Sequence, residues 1–262
     1  MENLIQIKNI DSIDDPVISK FSGMKDKLLK QQGQIIVDSP KVVLRMLGEG
    51  ILPSALLATH DFISEHQDLL ASHTGIDIYA SSRLVMECIV GHRLHHGVIA
   101  LASRPENCKL SDLGQRILIL DGVNKAENIG AMMRSCDSFG VDSVLVDESS
   151  LSPYSRRCIR VSMGSIFRLK VRHSQNLSRD MRELQANGVT VIGTGNYQGA
   201  HDLHGFRFPK KSALVIGSEG FGMGEELRGL VDLMVKIPIR EVVDSLNASI
   251  AASICLYEMA KP

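Results

Sequence analysis

The stretch Ser212-Ala-Leu-Val-Ile-Gly-Ser-Glu-Gly-Phe-Gly-Met223 decides the fold class, read with Val235-Lys-Ile-Pro-Ile239 and Ser245-Leu-Asn-Ala-Ser249. The apolar run Ala213 to Ile216 is short enough for a buried strand. It breaks at Gly217 into a loop with further glycines at 220, 222 and 224, and Glu225 and Glu226 then open a helix. A second apolar run, Leu233 to Ile239, carries Pro238 and leads through Asp244 and Ser245 into a helix of small residues. Two strand ends opening onto glycine-rich and polar loops are where an open α/β sheet binds a ligand.

Upstream of that stretch the strand–helix alternation continues. Strands are predicted at Ile117–Leu120, Ser143–Val146, Phe167–Val171, Val189–Gly193, Ala213–Ile216 and Leu233–Ile237, with helices including Ile129–Phe139, Ser174–Ala186 and Leu246–Met259. This pattern predicts an α/β domain over residues 116–262 with a mostly parallel sheet covered on both faces. Residues 106–115 are polar, lack apolar periodicity and read as a linker. Residues 1–105 alternate again, with strands predicted at Gln34–Val37, Ser54–Thr59, Ile76–Ala80 and Gly97–Ala102. Helices fall at Pro40–Leu47, Asp61–Ser72 and Leu84–Val90, which describes a smaller α/β domain. A helical leader precedes it over 11–33, opened by Asp14-Asp15-Pro16 and stopped by Gly33.

With 262 residues, 44% hydrophobic and 23% charged, the chain has the composition of a globular protein. No apolar run approaches the roughly 18 residues that a membrane helix needs. The first residues lack the basic start and apolar core of a signal peptide, so the expected location is the cytoplasm. Five cysteines without a Cys-x-x-Cys pair argue against a disulfide framework or a zinc ribbon. The histidines at 92, 95, 96, 201 and 204 share no recognised spacing with Cys or carboxylates, so no metal is expected.

The net charge of −1 hides an uneven distribution. Between Ser149 and Arg179 lie Arg156, Arg157, Arg160, Arg168, Lys170, Arg172 and Arg179, with no acid. A second cluster runs through Arg83, His92, Arg93, His95, His96 and Arg104. These are either solvated faces balanced by acids elsewhere or a phosphate-binding surface, for which Arg156, Arg157, Arg160 and Arg93 are the candidates.

The strand Ile117–Leu120 runs into Asp121-Gly-Val-Asn-Lys-Ala-Glu-Asn128-Ile-Gly-Ala-Met-Met-Arg134. Asn128 reads as the N-cap of the next helix, whose apolar stripe is Ile129, Met132, Met133, Cys136 and Phe139; Arg134 lies off it. The loop Gly220-Phe-Gly-Met-Gly224 invites a dinucleotide reading. That fingerprint, however, belongs in the first βα unit, with an acid about 20 residues on, and neither condition is met. An uncharged or cationic ligand held by backbone groups fits better than a pyrophosphate.

Three segments together, Asn128 to Arg134 continuing to Phe139-Gly140, Leu214 to Met223, and Ile237-Pro-Ile with Ser245 to Ser249, resemble the SpoU (TrmH) class of RNA ribose methyltransferases in the SPOUT superfamily. The resemblance covers residues 116–260 and extends more loosely to the N-terminal domain, which is similar to the family's substrate-binding domain and to an RNA-binding ribosomal protein fold. It implies a C-terminal trefoil-knot domain, one of the rare exceptions to the rule against knots. It also implies S-adenosylmethionine as cofactor, backbone contacts to it at Gly217, Ile237 and Leu246 with Thr194 as a further candidate, and a homodimer. The family's functional polar residues map to Asn128, Arg134, Glu219, Ser245 and Asn247.

The implied reaction is methyl transfer to a ribose 2′-hydroxyl of structured RNA, ribosomal rather than transfer RNA, which needs alignment and removal of a weakly acidic proton. A guanidinium is almost always protonated, so Arg134 is read as a fork for phosphate and developing alkoxide rather than as the base. Ser245 and Asn247 would position the hydroxyl and the loop. Two departures stand out: Glu241-Val242 replaces the family's glycine and small residue, and Asp38-Ser39 stands where Glu-Gly is common. The first motivates the competing reading of a non-catalytic RNA-binding or assembly factor. An oxidoreductase using a nicotinamide nucleotide is a third reading, disfavoured by the missing acid.

Overall fold

The computed structural model describes residues 6–21, 26–90, 97–240 and 242–261, and the chain forms two units. The first takes in residues 1–105 and 154–167, the second 106–153 and 168–262.

In the first unit β1 (Ile7–Ile10), β2 (Gln34–Asp38), β3 (Pro53–Thr59), β4 (Asp77–Ser81) and β5 (Val98–Ser103) form one sheet in the order β1-β4-β3-β5-β2. β5 is antiparallel to both its neighbours, whereas β1, β4 and β3 run parallel. The helices are α1 (Asp26–Gln32), α2 (Pro40–Gly48), α3 (His60–Glu65), α4 (Gln67–Ala71) and α5 (Arg83–Val90). Pro40 suits the first turn of α2, which buries Val42, Val43, Met46 and Leu47. Phe21, Leu57, Tyr79, Met86 and Ile99 meet in one core. The helix expected over 61–72 divides at His66 into α3 and α4. β1 escaped prediction because it is an edge strand with three of its four residues exposed, so its sequence carries no alternation.

Ser39, ahead of α2, has φ +83°, a conformation that favours glycine. A glycine here, as the resemblance leads one to expect, would adopt this backbone freely, whereas Ser39 is strained.

In the second unit β6 (Arg116–Asp121) leads through α6 (Ala126–Phe139) to β7 (Ser143–Val146). The next helix, α7 (Arg156–Val161), lies in the segment assigned to the first unit. Then follow β8 (Lys170–His173), α8 (Leu177–Ala186), β9 (Thr190–Thr194), β10 (His201–Asp202), β11 (Ser212–Gly217), α9 (Glu225–Arg228), β12 (Leu233–Lys236) and α10 (Ala248–Ala260). The sheet order is β10-β12-β9-β11-β6-β7-β8, with every pairing parallel. Its central strands are apolar throughout because both faces are covered: residues 117–120 and 213–215 are fully buried. The strand expected at Phe167–Val171 starts later, since Ser165–Arg168 forms a 3₁₀ turn, and β10 is a two-residue edge strand that pattern reading missed.

The sequence reading kept residues 116–262 in one domain, but Tyr154–Phe167 belongs to the first unit. There Asp38, 6% exposed on β2, receives the Arg156 guanidinium at 2.8 Å, with Arg160 at 3.8 Å. Arg45 of α2 donates to the Met163 carbonyl at 2.6 Å. A buried carboxylate needs cationic partners, and no sequence spacing reveals that the nearer one lies 118 residues away.

Candidate active site

In the second unit, β6, β7 and β8 step outward in one direction, and the chain then returns to place β11 against the other side of β6. The carboxyl ends of β6 and β11 therefore mark a topological switch point, where open α/β sheets bind ligands. The two strands end in register, Gly217 beside Asp121. An added Cβ on Gly217 would stand 2.2 Å from the Gly222 carbonyl carbon and 2.3 Å from the Met223 nitrogen, so the glycine loop folds directly back on the strand end. The loop is closed by a reciprocal backbone pair between Ser218 and Gly222, 3.0 Å each way, with Gly222 at φ +69°. Asp121 anchors its far end by accepting the Gly224 N–H at 2.8 Å. Burial, and then the neighbouring Asp147 charge, push the Asp121 carboxyl above its ordinary range, against the Gly224 hydrogen bond.

Asn128 is not the N-cap expected of it. Lys125 occupies that position without a side-chain bond, and Asn128 lies inside the first turn of α6, 4% exposed. Its amide is used across the fold instead. Asn128 Nδ2 donates to Glu219 Oε1 at 2.5 Å, and its Oδ1 accepts Asn247 Nδ2 at 3.0 Å. Asn247 is itself the N-cap of α10, its Oδ1 accepting the Ser249 N–H at 2.9 Å, the Ser249 hydroxyl at 2.7 Å and the Ile250 N–H at 3.3 Å. The amide donors run in one direction, Asn247 to Asn128 to Glu219, so the three side chains fix one another's orientation. Further along, Ser135 and Ser253 hydroxyls meet at 2.7 Å and Phe139 packs edge-on against Tyr257 at 5.6 Å. Contacts that ascend together in both sequences mean that α6 and α10 lie side by side and run parallel.

The structure thus brings together Asn128, Glu219 and Asn247. Arg134 is exposed on α6, and among the described residues its guanidinium has no hydrogen bond or ion pair; its carbonyl accepts the Ser138 hydroxyl at 2.7 Å. Ser245 is exposed, two residues ahead of Asn247. Gly217, Ile237 and Leu246 are half-buried at a strand end, just past β12 and ahead of α10 respectively. Thr194 ends β9, where its hydroxyl donates to the Val215 carbonyl at 2.8 Å and only its lone pairs and backbone remain available. Asp121 was missed by the sequence reading, although an acid closing the strand beside Gly217 was a usable signal. Val242 is 81% exposed; Glu241 and Arg93 lie outside the described residues.

The basic stretch fares differently. Arg156 and Arg160 are committed to Asp38, Arg168 is bonded bidentately to Asp137, Arg172 to buried Asp180 at 2.9 Å, and Lys170 lies 3.6 Å from Asp142. Arg156 and Arg160 are thus held in ion pairs within the protein, since acids distant in sequence balance the run, and a place for them on an RNA surface is a separate proposal. Arg157 is also engaged by other groups of the protein.

The neutral strand-end backbone around Gly217, with Asp121 and Glu219 beside it, suits a ligand carrying positive charge and no phosphate. That is the character of S-adenosylmethionine, a sulfonium with an adenosyl group.

Comparison with known proteins agrees. Residues 115–257 match the model of the SpoU rRNA Methylase family. The chain belongs to that family. A 23S rRNA (guanosine-2'-O-)-methyltransferase, RlmB, of Vibrio vulnificus is 31% identical over 195 residues, covering 71% of this chain and 78% of that protein. A protein of Mycobacterium tuberculosis described as an uncharacterized tRNA/rRNA methyltransferase is 27% identical over 268 residues, covering 98% of this chain and 93% of its own. The AdoMet-bound rRNA methyltransferase of Sinorhizobium meliloti superposes with a TM-score of 0.86, at 22% identity, over 96% of this chain and 97% of that one, which establishes a shared fold. As a SpoU methylase the protein is an RNA 2′-O-ribose methyltransferase dependent on S-adenosylmethionine.

Proposed function

We propose that the substrate is a nucleotide of ribosomal RNA and that the relay Asn247–Asn128–Glu219 is the scaffold of the active site. That relay carries the reading, since it ties the β6–α6 segment, the glycine loop and the start of α10 into one polar centre through specific side-chain bonds. The match to an RNA methylase of the large ribosomal subunit supports ribosomal over transfer RNA.

S-adenosylmethionine, when bound, supplies a methyl group on a cationic sulfonium. The backbone at Gly217, Ile237 and Leu246, with the end of β9 at Thr194, would hold it, in a C-terminal region knotted as in the family. Asn128 and Asn247 keep the two loops in register: Glu219 accepts the Asn128 amide N–H, and Asn128 in turn accepts that of Asn247. Arg134, whose guanidinium is unengaged among the described residues, is the group that binds an RNA phosphate and stabilises negative charge on the attacking ribose oxygen, because a guanidinium presents a fixed fork of donors. Ser245 orients the hydroxyl from the rim. Ile250, Ile254 and Tyr257 form an exposed apolar stripe on α10, at a spacing that places them on one helix face, and this supports a homodimer; ribosomal RNA as substrate would place its action in the cytoplasm.

Arg134→Ala is expected to leave S-adenosylmethionine binding within about twofold by calorimetry. Methyl transfer to ribosomal RNA from cells lacking the gene should fall at least 100-fold, the usual scale for removing one transition-state donor. Equal loss of cofactor binding would remove Arg134 from the RNA side, and absence of any new 2′-O-methyl mark in the wild-type reaction would overturn the substrate assignment.

A further inference from the structure

Phe221 is 96% exposed, the most exposed large apolar side chain among the described residues. Isolated apolar residues on a surface are common, but this one sits on a hydrogen-bonded loop that also carries Glu219 of the polar centre. Its loop is pinned at both ends by the Ser218–Gly222 backbone pair, and the Phe221 N–H itself donates to Ser218 Oγ at 3.2 Å. The ring therefore projects from a fixed backbone. Two residues earlier in the same loop stands Glu219, bonded to Asn128. Adjacent Gly220 borders open space, since a Cβ added there meets nothing within 4 Å. Residues two apart have Cα atoms about 6–7 Å apart at most, so Phe221 and Glu219 spring from neighbouring points of one short loop.

We propose that Phe221 is a stacking platform for an unpaired nucleobase of the RNA, at or next to the nucleotide whose ribose is methylated. An aromatic ring offers every base the same π-face, and proteins that bind single-stranded or splayed RNA use such rings to hold bases out of the helix. With the base held on Phe221, its ribose is delivered to the polar centre that Glu219 helps to build. Phe221 is a positioning residue: it touches a base, and the reacting oxygen is handled by other groups. This inference rests on the assignment of the Asn128–Glu219–Asn247 centre as the place of reaction.

The test exploits the absence of tryptophan from this chain. In this 262-residue chain carrying Phe221→Trp the new indole is the sole tryptophan, and stacking on a base quenches its emission. Ribosomal RNA extracted from cells lacking the gene is the probe, and tritiated S-adenosylmethionine the methyl source. Phe221→Ala is expected to raise KM for the RNA about five- to one-hundredfold, the range that corresponds to loss of one stacked base. It should leave kcat within about threefold and cofactor affinity unchanged, while Phe221→Trp and Phe221→Tyr restore KM. The Phe221→Trp emission should fall when RNA is added and stay constant when cofactor alone is added. An unchanged KM in Phe221→Ala, or an indole indifferent to RNA, overturns the proposal. So does loss of dimerisation or of cofactor binding in Phe221→Ala, which would make the ring a protein or cofactor contact. Failure of the wild-type protein to transfer methyl would count against the active-site assignment instead, and the indole signal would still report on stacking.

Discussion

Asn247 serves two structures at once, and its replacement separates them. As N-cap of α10 it satisfies the Ser249 and Ile250 N–H groups, and as a donor it holds Asn128 Oδ1 at 3.0 Å. Removing an asparagine cap costs about 1 kcal/mol. Losing the bond to Asn128 costs about 1 kcal/mol more, and leaving the 4%-exposed Asn128 oxygen unpaired adds roughly 1–2 kcal/mol. Asn247→Ala should therefore destabilise the protein by about 3–4 kcal/mol in a urea titration. Asn247→Ser keeps an oxygen to cap the helix but is too short to reach Asn128, so it should cost only about 2–3 kcal/mol. In a double-mutant cycle with Asn128→Ala, the two alanine substitutions should be non-additive by about 2–3 kcal/mol, since the shared bond is lost once and the Asn128 oxygen is no longer left unpaired. Additivity within about 0.3 kcal/mol would mean that the two side chains do not bond in solution, and the relay towards Glu219 would fall with it.

Three further outcomes follow from the same geometry. Ser39→Gly relieves a left-handed backbone at φ +83° and should stabilise the protein by about 1 kcal/mol; a loss of stability would refute the strain. Arg156→Ala removes the partner nearest to buried Asp38 and should cost about 2 kcal/mol, with a smaller loss in the double variant Arg156→Ala with Asp38→Asn; an undiminished RNA affinity at fixed salt would confirm that Arg156 is not a phosphate contact. The pKa of Asp180 would be raised by its burial, but the Arg172 and Ser174 hydrogen bonds and the Arg172 and Arg179 charges outweigh that and hold it below the usual carboxylate range. Its stabilising contribution is therefore complete above the unfolded value of about 3.9 and is lost as pH falls through the lower folded value. Asp180→Asn should flatten the acid limb of the stability curve, and an unaltered limb would assign acid sensitivity elsewhere.

Local pattern carried much of this protein. The apolar runs of β6, β7, β9, β11 and β12, each ending at glycine or polar residues, announced a parallel sheet, because a strand buried on both faces has to be apolar throughout. The three segments containing Asn128, Glu219 and Asn247 marked the family without any coordinates. What sequence left open is the kind of fact that depends on which distant groups meet. Asn128 looked like a helix cap because a cap is a local role, yet its amide bridges residues 91 and 119 positions away. The run from Arg156 to Arg172 looked like a phosphate surface because its acids, Asp38, Asp137, Asp142 and Asp180, lie outside it in sequence or arrive from another element. Composition and periodicity determine which faces are buried; the pairing of charges and amides across chain crossings is decided only when the tertiary fold sets their distances, since hydrogen bonds and ion pairs act over a few ångströms.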